Sequence, residues 1–159
     1  MKPIIVYASE SGSTEVVANR ISFDLDCDKL KIEPVEDYSN YLFAAAKIGF
    51  SKLTGKKSHY ANLLPDLSGY DVILFGFPIW YSAPPEYALE FIKNCNLKGK
   101  VIVPFCTSGA SPITVALDKI RAACPESKVL YPYTSSVASG DNYSDWMKII
   151  SFMCDESAN

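Results

Sequence analysis

Three apolar runs show no alternation of polar and apolar positions: Ile4-Ile5-Val6-Tyr7-Ala8, Val72-Ile73-Leu74-Phe75-Gly76-Phe77 and Val101–Cys106. Runs of this length without alternation fit strands buried on both faces, as in a parallel sheet. Between them apolar residues recur at helical spacing: Val16, Val17, Ala18, Ile21 and Leu25; then Ala88, Phe91, Ile92 and Cys95; then Ile113, Leu117, Ile120 and Cys124; and last Trp146, Ile149, Ile150 and Met153. The pattern predicts strands over Pro3–Ala8, Asp28–Ile32, Val72–Phe77, Val101–Cys106 and Val129–Val137. It predicts helices from the first loop to about Asp26, after Pro85, after Pro112, and from Asp141 onward. Ser111 is a suitable N-cap for the third of these, and Pro85 and Pro112 suit first helical positions. Tyr38, Leu42, Ala45 and Ile48 fit one further helical stripe. Strands alternating with helices imply right-handed crossovers and an α/β parallel sheet with helices on both faces.

Ligands of such sheets sit beyond the carboxyl ends of the strands. Three loops leave those ends: 9–14, 78–84 and 107–112. The first, Ser9-Glu10-Ser11-Gly12-Ser13-Thr14, lies between a strand and a helix. That order aims backbone N–H groups and the positive end of a helix at one point, where an anion can sit. The loop holds no Lys or Arg, so amides and hydroxyls would hold the anion. Gly49 and Gly55-Lys56 imitate a nucleotide-triphosphate loop, but the spacing is wrong and no strand precedes them. No G-x-G-x-x-G is present, which argues against a dinucleotide on the first loop.

With 159 residues and 48% apolar content, the chain is expected to form one domain, 1–159, with a substantial core. A net charge of −3 argues against a nucleic-acid partner. No run is long enough to span a bilayer, and no secretory signal is visible. The five scattered cysteines have neither zinc nor disulfide spacing and read as reduced thiols of a cytoplasmic protein. Cys106 reads as a core thiol at a strand end, His59 as a solvated loop residue, and Lys52, Lys56 and Lys57 as a solvated face. No metal site is expected.

Taken together, the three loops resemble those of the flavodoxin family. Ser9–Thr14 resembles the family's phosphate loop, Ser/Thr-x-Ser/Thr-Gly-x-Ser/Thr. Gly76-Phe77-Pro78-Ile79-Trp80-Tyr81 resembles its first flavin loop, with Trp80 at the stacking aromatic. Phe105-Cys106-Thr107-Ser108-Gly109 resembles the second flavin loop of a subgroup that reads PFCTSGGSG. The resemblance spans essentially the whole chain. It implies a flavodoxin-like three-layer sandwich with a five-stranded parallel sheet in the order 2-1-3-4-5, and FMN as cofactor.

The expected FMN contacts are Ser9, Glu10, Ser11, Gly12, Ser13 and Thr14 at the phosphate, Pro78, Ile79, Trp80 and Tyr81 at the ring, and Thr107, Ser108, Gly109 and Ala110 at its polar edge. Either Trp80 or Tyr81 can supply the aromatic face. Three functions follow: an electron carrier with a redox partner protein, an NAD(P)H-dependent FMN or quinone oxidoreductase, and a binding domain that has lost flavin. The intact hydroxyls of Ser9, Ser11, Ser13 and Thr14 weigh against the third. In flavodoxin carriers the residue after the stacking aromatic is often Gly, and its peptide turns over on reduction. Tyr81 in that position implies a penalty for entering the left-handed region, and hence a bias toward two-electron chemistry.

Overall fold

The computed structural model describes residues 1–35, 60–136 and 142–155. The expected helix over Tyr38–Ile48, both glycines of the rejected nucleotide loop, His59 and the three lysines of the solvated face lie outside the described residues.

The strands are β1 (Pro3–Tyr7), β2 (Asp28–Lys31), β3 (Val72–Pro78), β4 (Val101–Ser108), β5 (Lys128–Val129) and β6 (Tyr133–Ser136). The helices are α1 (Ser13–Leu25), α2 (Glu86–Asn94), α3 (Leu117–Ala123) and α4 (Tyr143–Asp155), with a 3₁₀ turn over Ile113–Ala116 before α3. All sheet pairings are parallel, in the order β2-β1-β3-β4-β5, and β6 also pairs with β4. This is the expected flavodoxin-like order.

Because successive side chains of a strand point to opposite faces, the uninterrupted apolar runs feed two cores. Ile73, Phe75 and Phe77 meet Tyr87, Ala88, Phe91 and Ile92 of α2 and Leu117 and Ile120 of α3. Val72, Leu74, Val103 and Phe105 meet Ala18 and Ile21 of α1 and Trp146, Met147 and Ile150 of α4. Gly76 sits directly across from Phe105 on β4. A Cβ built on Gly76 would lie 2.2 Å from the tip of the Phe105 ring, so the glycine makes room for a fully buried aromatic.

Several expectations are corrected. The strand predicted over Val129–Val137 is two pieces. On the outer flank four residue steps, Val129 to Tyr133, run beside three on β4, Ile102 to Phe105. The extra residue makes a bulge at Leu130-Tyr131-Pro132, where Tyr131 has φ 49° and Pro132 has no N–H to give. Ser111 does not cap a helix: its carbonyl accepts a hydrogen bond from Ser108 Oγ, at 2.5 Å. Pro112 is extended, with ψ 155°, and the Ile113 N–H donates to Thr134 Oγ1 at 2.9 Å, so the chain enters through a 3₁₀ turn. Pro85 is likewise the cap before α2 rather than its first residue. Val16 and Ile149, placed on inward stripes, are 68% and 47% exposed; Thr14 and Met147 take the inward positions. All five cysteines are free, and Cys95, Cys106 and Cys124 are buried. Burial pushes the Cys106 thiol up to about 12, as befits a core thiol.

Candidate functional site

A cavity of about 630 Å³ opens at the carboxyl ends of the strands, within the ~300–1,000 Å³ usual for small-molecule sites. Its walls come from four places: Ser11 and Ser13 with Val16 and Val17 at the start of α1; Pro78, Ile79 and Trp80 after β3; Thr107, Ser108 and Gly109 at the end of β4; and Ser135 and Ser136 at the end of β6.

The first wall is built by a tight turn. β1 hands over to the loop through the Ala8 N–H, which donates to the Gly76 carbonyl at 2.9 Å. Gly12 then adopts φ 91° as the N-cap of α1, a conformation L residues resist. Its carbonyl accepts the first helical bond, from the Val16 N–H at 3.0 Å. The N–H groups of Ser13 and Thr14 fall in the first turn, where no intrahelical acceptor is available. Ser9 Oγ accepts the Glu15 N–H at 3.2 Å and is itself buried. Ser11 and Ser13 present their hydroxyls to the cavity, 3.4 Å apart. Thr14 is 1% exposed and bonds Thr107 Oγ1 at 2.7 Å, which ties the first turn of α1 to the end of β4. Among the described residues lining the cavity there is no Lys or Arg.

The second wall ends in a turn of its own. The N–H groups of Trp80 and Ala83 donate to each other's carbonyls at 2.9 and 3.1 Å. Tyr81 and Ser82 between them have φ 51° and 59°. Reciprocal bonds around two left-handed residues are the signature of a type I′ turn. This corrects the expectation for Tyr81: the left-handed conformation is already the resting one, imposed by the short closure, so its cost is a standing one. Each L residue held there costs about 1–2 kcal/mol. Replacing Tyr81-Ser82 by Asn-Gly, the favoured pair, should therefore raise the unfolding free energy by about 1–2 kcal/mol. An unchanged urea midpoint would show that the turn is not strained. Trp80 is 4% exposed and joins the α2–α3 core while still forming part of the cavity wall; Tyr81 is 56% exposed and stands outside the wall.

Hydroxyls of β6 hold the third wall. Ser136 Oγ donates to the Gly109 carbonyl at 3.2 Å, and Thr134 takes the Ile113 N–H. Ala110 lies beyond the lining residues.

Of the residues predicted for the site, Ser11, Ser13, Pro78, Ile79, Trp80, Thr107, Ser108 and Gly109 converge on one cavity. Ser9, Gly12 and Thr14 shape the loop behind it. Glu10 turns away, and its Oε1 accepts a hydrogen bond from Tyr87 Oη on α2. Burial raises the Glu10 carboxyl to about 7 against the pull of Lys31 and a backbone hydrogen bond; Glu33 adds to the rise. Ser135, Ser136, Val16 and Val17 were not anticipated. The two serines end a strand beside β4, so the strand-end rule that found the other loops applies to them as well.

A parallel sheet in this order with a cleft over the ends of β1, β3 and β4 defines a flavodoxin-like α/β protein. The chain belongs to the flavodoxin family: the family's sequence profile, described as flavodoxin, matches residues 2–149. A solved structure from Bacteroides uniformis shares 25% identity with a TM-score of 0.79, over 94% of this chain and 97% of that one. A flavoprotein from Lactobacillus acidophilus, solved in complex with FMN, shares 21% identity with a TM-score of 0.66, over 91% and 97%. A flavodoxin from the domain Archaea shares 19% with a TM-score of 0.63, over 100% of both chains. No curated protein matches the sequence. Among the described residues, no helix is long and apolar enough to cross a membrane.

Proposed function

We propose that the protein, acting as one domain in the cytoplasm, binds FMN in this cavity and carries electrons through it to or from a redox partner protein. The observation that carries the reading is the convergence of Ser11 and Ser13, at the start of α1, with Trp80 and Thr107–Gly109 around one cavity. The donor set fits the cofactor. The turn at Gly12 and the first-turn N–H groups suit a phosphate held without a cation. Trp80 offers an aromatic face, and the tied loop 107–110 can offer backbone groups to a polar ring edge. Bound there, FMN would supply one- or two-electron redox chemistry. The chain's own residues would grip the phosphate, orient the ring and shield one of its faces.

The test compares FMN with riboflavin. A hydrogen bond to a charged group contributes about 1.5–3 kcal/mol. Ser11→Ala and Ser13→Ala should each weaken FMN about tenfold or more and leave riboflavin nearly unchanged. Equal losses for both ligands would refute the phosphate assignment. Mixing the FMN-loaded protein with NADPH without oxygen then separates the carrier from the NAD(P)H-dependent FMN or quinone reductase. A carrier leaves the flavin absorbance intact until a partner is added; bleaching by NADPH alone makes the protein the reductase.

A further inference from the structure

Glu10 stands in the middle of the phosphate loop, yet its carboxyl is buried on the α2 side. Tyr87 Oη donates to Oε1, while Oε2 is buried and finds no hydrogen-bond partner. A buried ionised carboxylate that is half satisfied is costly. Lys31 and a backbone hydrogen bond favour the ionised form, but burial outweighs them. Lys31, on β2, lies 3.5 Å from Glu15 Oε2 and 3.9 Å from Glu33 Oε1, so its single charge is shared with two other carboxylates. Glu15, on α1, also accepts from Tyr7 Oη at 3.1 Å. Among the described residues, the charged groups around the loop are thus Glu10, Glu15 and Glu33 against Lys31, with Tyr87 and Tyr7 as the neutral titratable neighbours.

A phosphate ester carries close to two negative charges at neutral pH. Docked on the loop that includes Glu10, it adds like charge beside a carboxyl already disfavoured by burial. Like charge favours the neutral acid. We propose that docking of a ligand phosphate in loop 9–14 is coupled to the uptake of one proton by Glu10. The proton enters on Oε2, the oxygen without a partner, and the hydrogen bond from Tyr87 to Oε1 is kept. The inference rests on the FMN reading above and adds its regulation. Linkage is reciprocal: if the phosphate favours the protonated carboxyl, deprotonation weakens phosphate binding by the same factor. Burial sets the ligand-free carboxyl at about 7, so the loss falls in the neutral to mildly alkaline range.

The experiment is calorimetric titration of the wild type and Glu10→Gln with FMN at pH 7.5, in two buffers of different ionisation enthalpy. Glu10→Gln keeps an acceptor for Tyr87 and removes the titration. The wild type should take up a substantial fraction of one proton more than the variant. Its FMN affinity relative to the variant should fall by up to tenfold per pH unit above the midpoint. With riboflavin, which has no phosphate, the difference should vanish. Titration of the phosphate itself is common to both proteins and cancels. Two further measurements do not depend on the variant folding. The ¹³C shift of the Glu10 carboxyl should titrate near neutrality in the ligand-free wild type and move upward when FMN is added. Tyr87→Phe should also raise it, because a donor to the carboxylate is lost. Equal proton uptake by wild type and Glu10→Gln with FMN still bound overturns the inference alone, as does a Glu10 carboxyl titrating in the ordinary range. A wild type that binds no FMN overturns the functional reading and this inference with it.

Discussion

Trp80→Ala is expected to lower the unfolding free energy by about 3–5 kcal/mol, the usual cost of deleting a large buried aromatic, and to weaken flavin binding in the same protein. The two losses have separate origins. The indole is nearly inaccessible and packs into the core formed with α2 and α3, so its removal leaves a cavity there. It also forms part of the wall of the ligand cavity, so its removal takes away the proposed aromatic face. Trp80→Phe separates them: a smaller aromatic fills most of the space and still offers a ring. Urea unfolding of the ligand-free proteins reads the first loss, and flavin fluorescence reads the second. A stacked indole quenches that fluorescence, so the Ala variant should be bright where it binds at all. If Trp80→Ala keeps wild-type affinity and quenching, the aromatic face lies elsewhere, and the exposed Tyr81 is the next candidate.

Gly76→Ala is expected to cost about 3 kcal/mol although it adds a single methyl group to a strand. Overpacking a filled core typically costs about 1–3 kcal/mol, and this site stands at the upper end. The added Cβ meets three atoms of the Phe105 ring at 2.2, 2.5 and 2.8 Å. The ring cannot swing away, because it is fully buried between the sheet and the α1–α4 layer. Phe105→Leu alone should be destabilising, since it shortens a buried side chain. Combined with Gly76→Ala it should cost less than the sum of the two single changes. A double-mutant cycle on urea midpoints reads that coupling. Strict additivity would show that the ring and the glycine do not share the space. The Gly76 carbonyl also receives the Ala8 N–H, so any displacement of β3 reaches loop 9–14 directly.

The parallel sheet was legible because the runs at 4–8, 72–77 and 101–106 lack alternation, as strands covered on both faces do; its order came only with the resemblance of the three loops to the flavodoxin family. The three loops were legible because each follows such a run and breaks it with hydroxyl, Gly or Pro residues. What escaped has physical causes. Ser135 and Ser136 were hidden inside a strand drawn through to Val137, because sequence does not announce a bulge at Leu130-Tyr131-Pro132. Val16 was read onto the inward stripe with Val17 and Ala18, but it stands two residues from both Thr14 and Ala18, about 200° round α1, and so faces away from the core. The turn at Tyr81-Ser82 carries neither Gly nor Asn, so its left-handed backbone has no residue signal. The direction of Glu10 is decided by Tyr87, 77 positions away in the chain, and no local spacing encodes such a contact.

The bulge beside β4 bears on how the molecule behaves in company. A sheet border with a long, regular row of open N–H and C=O groups recruits strands from other chains and seeds aggregation. Here one border is split into pieces of two and four residues, out of step by the bulge, with Pro132 between them. The opposite border, β2, is four residues long and carries Asp28, Lys29 and Lys31. Among the described residues neither border gives a foreign strand more than four regularly spaced partners, which protects the sheet from templated growth on both sides.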